Sequence, residues 1–130
     1  MFIKTFLVTL LVFLAIDAVW LGLVAKGFYQ NQFGSLMKSN VNWVAAFSVY
    51  VLFAIGLTVF VIEPALGNGT WLRALLMGVL FGLIVYATYD FTNLATLKDW
   101  PLTLTIVDLI WGATVAGSVS IITYFIVSKL

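Results

Sequence analysis

The sequence predicts an all-α integral membrane protein: a four-helix transmembrane bundle with a short interfacial helix between spans 1 and 2. Three observations predict it. Of 130 residues, 64% are hydrophobic and only 8% charged, where a soluble domain carries roughly 25% charged residues. Four apolar runs each reach the length of about 20 residues that bridges some 30 Å of hydrocarbon. Trp43, Trp71 and Trp100 stand at the ends of those runs, the level at which indoles settle in a bilayer. The length fits one domain, residues 1–130.

The spans are placed at about 5–25, 43–62, 71–91 and 102–127. The first lies between Lys4 and Lys26. It is longer than the apolar region of a signal peptide, about 7–15 residues, and it contains Asp17, so it reads as a retained helix. Within residues 26–42, Phe28, Tyr29, Phe33, Leu36 and Met37 occupy one half of a helical wheel, and Asn31, Ser35 and Lys38 the other. That one-sidedness predicts a helix lying in the membrane interface. Residues 63–70, "EPALGNGT", read as a tight turn in which Pro64 breaks the second span and Gly67, Asn68 and Gly69 supply the turn chemistry.

Composition also excludes several functions. There is no Cys for disulfide or thiolate chemistry, and no His to ligate zinc or haem or to shuttle protons near neutral pH. No basic cluster is dense enough for nucleic acid. The expected partner is the lipid bilayer. A homodimer is the other possibility, because "GVLFG" spaces Gly78 and Gly82 for close helix packing and Gly112 with Ala116 offers a second such face. The same residues would serve equally to pack spans within one chain. Orientation is balanced: Lys4, Arg73 and Lys129 fall on one side, and Lys26, Lys38 and Lys98 on the other. Both termini are expected on the same side, and the N-terminal amine tilts that side toward the cytoplasm.

The chemistry sits in three acids inside the spans. Aspartate costs about 2.5–3.5 kcal/mol at the centre of an inserted helix, and acids that persist there normally face a bundle interior or a wet cavity. With antiparallel spans, Asp17 and Asp108 fall about 12 Å and 9 Å below the same face. Asp90 closes span 3, nearer that face. Asp17 and Trp20 are three residues apart, as are Asp108 and Trp111. Tyr86, Asp90 and Asn93 follow helical spacing. Each acid thus has a same-helix neighbour able to donate a hydrogen bond. The expectation is one ligand-binding pocket of Asp17, Trp20, Tyr86, Asp90, Asn93, Asp108 and Trp111, in which at least one acid holds its proton more tightly than usual. The bland alternative is that the carboxyls only lock helix packing.

The segments "DAVWLG", "VYATYDFTNLATLKDWP" and "VDLIWG" resemble a family of small four-span bacterial membrane proteins grouped as a domain of unknown function. The resemblance covers nearly the whole chain. It implies four spans and a bacterial inner-membrane location, and it brings no catalytic residue, metal site or cofactor. The residues themselves favour binding or moving a small molecule or ion. The alternatives are an embedded enzyme acting on a lipid, with carboxyls as acid and base or holding a divalent cation, and an accessory or lipid-binding role.

Overall fold

A computed structural model describes residues 2–24, 26–34 and 42–130. Its elements are α1 (Phe2–Val19), continued by a π-helical turn (Trp20–Val24); α2 (Lys26–Phe33); α3 (Trp43–Leu57), continued by a second π-helical turn (Thr58–Ile62); α4 (Glu63–Asn68); α5 (Trp71–Thr96); and α6 (Leu102–Ser128). Four stretches are long and apolar enough to cross a bilayer: Phe2–Leu23, Trp43–Gly67, Trp71–Thr96 and Leu102–Ser128. Among the described residues there is no strand.

Two spans run longer than the sequence suggests. Pro64 does not break the second. In the preceding π turn the Glu63 N–H reaches back five residues to the Thr58 carbonyl, and Pro64 then falls in the first turn of α4. There a missing N–H is harmless and the fixed φ already suits a helix. The chain reverses only at Gly69, whose φ of +73° is left-handed and whose N–H closes on the Ala65 carbonyl at 2.9 Å. Span 3 also continues past Phe91, to Thr96. The chain returns at residues 97–101, where Asp99 takes a left-handed φ of +63° and the Trp100 indole N–H donates to Thr105 Oγ1 at 3.1 Å.

The bundle is apolar outside and partly polar inside. Leu11, Leu52, Phe60 and Ile110 are each about two-thirds exposed, an arrangement that only hydrocarbon solvates cheaply. Buried along α1 at four-residue spacing are Thr5, Thr9, Phe13 and Asp17. Their hydroxyls are absorbed locally: Thr9 Oγ1 donates to the Thr5 carbonyl, and Thr58 Oγ1 to the Ala54 carbonyl, both at 2.7 Å. The apolar core gathers Phe13, Phe53, Leu57, Val61, Ile62, Val115, Ala116 and Val119.

α5 and α6 form the tightest pair, an antiparallel hairpin closed on small residues. Gly78 and Gly82 face Gly112, Ala116 and Ser120 of the same chain, so the stripe offered by the sequence as a dimer face is consumed within the monomer. α1 packs on α6 and α3. Span 2 meets α5 through Phe53, whose ring contacts Phe81 and Tyr86, and through Gly56, which lies under the Phe81 ring. Beyond Phe53, toward Trp43, the two helices stand apart around a cleft of about 400 Å³.

α2 is helical over Lys26–Phe33. The expectations for Ser35, Leu36, Met37 and Lys38, and for Ala25 in the first span, fall outside the described residues. α2 is not simply an interfacial raft, because Tyr29 turns inward to the bundle.

Candidate functional site: an intramembrane acid network

Asp17, Asp90 and Asp108 lie at one depth. Each is six residues inside its span, measured from Leu23, Thr96 and Leu102 respectively, or about 9 Å. The sequence predicts Asp90 nearer the surface. The extra turn and more of α5 carries it inward. All three side chains are buried, Asp90 completely.

The Asp-Trp pairs exchange partners. The Trp111 indole N–H donates to Asp17 Oδ1 at 3.2 Å, across from α6 to α1. The Trp20 indole N–H donates to the Tyr29 hydroxyl at 3.3 Å, and that hydroxyl donates to Asp108 Oδ1. The two indoles stack with ring centres 4.3 Å apart and planes 9° from parallel. Neither indole bonds the acid of its own helix. Trp111 instead reaches over the α1–α6 seam to Asp17, Trp20 reaches Tyr29 of α2, and the stack across the seam fixes both rings. Asp17 Oδ2 is capped by the Tyr50 hydroxyl from α3, and the Tyr50 ring is held edge-on to Phe13 at 5.0 Å.

Span 3 closes the site through Asp90, whose carboxyl lies within hydrogen-bonding reach of that of Asp108. Neither Asp90 oxygen has a conventional donor. Tyr86 and Asn93 do not serve it, contrary to their helical spacing. Asn93 lies beside the Tyr89 hydroxyl. Tyr86 packs its ring on Gly112 and against Phe53.

Residues 2–125 match the model of the family described as "Predicted membrane protein (DUF2177)". The chain belongs to this family. It is therefore a multi-pass membrane protein. No curated protein and no solved structure is significantly similar to this DUF2177 chain.

Two residues of the DUF2177 site were not read from sequence. Tyr29 was assigned to the apolar half of an interfacial helix, yet a phenol on such a face carries a hydroxyl that needs an acceptor. Tyr50 lies seven residues into span 2, near the depth of Asp17, and that match of depth was the available signal. Tyr29 lies outside the spans. Its hydroxyl is held well above the usual phenol range, first by burial and then by its bond to Asp108, so it remains a donor.

The network thus runs from Tyr50 through Asp17, the stacked indoles, Tyr29 and Asp108 to Asp90, drawing on all four spans and α2. Its acids are met by phenols, an indole and one another, and among the described residues by no Lys or Arg. No group of three or more His, Cys, Asp or Glu among the described residues is placed to hold a metal ion. The exchange of partners is testable by double-mutant cycles in detergent. Asp17→Asn with Trp111→Phe should show a coupling of about 1 kcal/mol. Asp17→Asn with Trp20→Phe, linked only through the Trp111 ring, should show a clearly smaller coupling. The reverse pattern would restore the same-helix pairing.

Proposed function

We propose that this DUF2177 protein, placed in the bacterial inner membrane, binds or moves a small cationic species by exchanging it for a proton at the three-carboxyl site. The observation that carries the reading is the Asp90–Asp108 contact: two buried carboxyls side by side, with no positive partner among the described residues. Two carboxylates in such a place repel, and what joins them is a proton or a cation. Tyr29 and Trp111 supply donors that keep Asp108 and Asp17 oriented, and the surrounding hydrocarbon strengthens every charge interaction. The four spans supply the binding site, and movement across the membrane would follow from binding on one side and release on the other.

Infrared difference spectroscopy of the protein in nanodiscs tests this by reading the protonated carboxyl band. The band should be present without ligand and absent from the Asp90→Asn, Asp108→Asn double variant. It should be reduced by at least one member of a panel of sodium, potassium, tetramethylammonium and dodecyltrimethylammonium. A band indifferent to the whole panel, or unchanged in the double variant, would reject the reading.

A further inference from the structure

The route into the acid site is visible on the side of the bundle. The cleft between α3 and α5 is lined by Phe13, Val49, Phe53, Val85, Tyr86 and Tyr89. Its mouth faces the hydrocarbon: Val49 is 63% exposed and Tyr89 55%. Its floor is closed by the buried rings of Phe13 and Phe53. Its inner wall is Tyr86, whose ring also packs on Gly112 of the acid-bearing α6, and behind Phe13 stands Tyr50, bonded to Asp17.

This cleft differs from the other hollows at the same depth. Two lie on either side of the Trp20–Trp111 stack, with volumes of about 390 and 340 Å³, and both are almost wholly apolar with an indole at the base. Neither presents a carboxyl or phenol oxygen from the network. Of these three hollows the α3–α5 cleft is the one lined by phenols, Tyr86 and Tyr89, and behind its Phe13 floor the Tyr50–Asp17 bond sets a carboxyl that no Lys or Arg among the described residues pairs with. Ring faces beside carboxyls are the surroundings that hold an ammonium group, through charge and through attraction to the rings.

We propose that the α3–α5 cleft is a lateral doorway from the bilayer for a single-tailed amphiphile with an ammonium head. The tail lies along Val49, Phe53 and Val85. The head passes Tyr86 and meets the carboxyls. This rests on the proton–cation reading above and adds to it both a substrate class and a direction of entry. The volume, about 400 Å³, suits one chain and a compact head, within the 300–1,000 Å³ range of about every small-molecule site.

The test compares dodecyltrimethylammonium with dodecanol, dodecanoate and tetramethylammonium, using protein in nanodiscs and protein-free nanodiscs to measure plain partitioning. Binding is read by isothermal titration calorimetry. The ammonium amphiphile should bind about tenfold more tightly than the alcohol of equal chain length, and dodecanoate more weakly than either. Val49→Trp fills the mouth from an exposed position and should weaken binding about tenfold. Val44→Trp, on the same helix at a residue 80% exposed outside the cleft, should leave it unchanged. Equal binding of ammonium and alcohol, a signal no larger than partitioning, or full affinity in Val49→Trp would each overturn the doorway. If tetramethylammonium still clears the carboxyl band in that event, the acid site stands and only the lateral route and tailed substrate fall.

Discussion

Gly82→Val is expected to keep α5 and α6 from closing, and to be the most destabilising single change in the bundle. A Cβ on Gly82 would overlap the Gly112 carbonyl oxygen and the Ala116 methyl group. The first of these is backbone, which cannot swing away as a side-chain tip can. Two further small contacts lie on the same seam. A Cβ on Gly78 would come within 2.9 Å of the Ala116 carbonyl oxygen, and Gly112 is covered by the Tyr86 ring. Separating the helices at Gly82 therefore loosens Tyr86 and the contact between Asp90 on α5 and Asp108 on α6 as well. Overpacking of a tight core costs typically about 1–3 kcal/mol and occasionally more, and the backbone clash places this variant at or above about 3 kcal/mol. Unfolding in mixed detergent micelles would measure it. Gly67→Val makes the comparison: that Cβ meets nothing within 4 Å, so only helix propensity changes. Equal stability of Gly82→Val and the natural protein would show that α5 and α6 do not pack as described.

Asp90→Asn is expected to act in the opposite direction and raise stability. Both Asp90 oxygens are buried without a donor, and the Asp108 carboxyl is their polar neighbour. An amide of the same shape offers N–H groups to Asp108 without the shared proton that the pair of carboxyls needs. Hydrogen bonds to charged groups are worth about 1.5–3 kcal/mol, so a gain of about 1–3 kcal/mol should appear as a higher melting temperature in detergent. Asp108→Asn should not match it, because the Asp108 carboxylate already serves as acceptor to Tyr29 and the change weakens that bond. A protein usually retains such an unfavourable group for a reason other than stability. The stabilised Asp90→Asn variant should therefore lose the proton–cation exchange. A lower melting temperature for Asp90→Asn would mean that the carboxylate is satisfied as it stands.

Much of the architecture follows from sequence by simple physics. Hydrocarbon tolerates no unpaired backbone, so four runs of the right length must be helices, and consecutive spans must alternate in direction. Those two facts bring Asp17 and Asp108 to one side at similar depths, about 12 Å and 9 Å. The fine boundaries did not follow. Pro64 reads as a break by its chemistry, and only the π turn at Thr58–Ile62 makes it a tolerated first-turn residue. The apolar run of span 3 stops at Phe91, yet helical hydrogen bonding continues to Thr96, and that shift decides the depth of Asp90.

The sequence alone determined which side chains are too polar for lipid and must turn inward: Asp17, Asp90 and Asp108. The tertiary structure decided who answers them. Spacing along one helix puts Trp20 beside Asp17 and Trp111 beside Asp108, but a same-face neighbour three residues away points the same way and seldom reaches back. A donor on the opposing helix points toward the acid. That is why Trp111 serves Asp17, Tyr29 and Tyr50 complete the network from elements that carry no acid, and Asn93 is left to Tyr89. Depth is a property of one chain segment and can be counted. Direction across the seam depends on how helices are rotated against one another, which is set by the Gly78–Gly82 stripe and the core around Phe13 and Phe53, and that packing appears only when the segments are together.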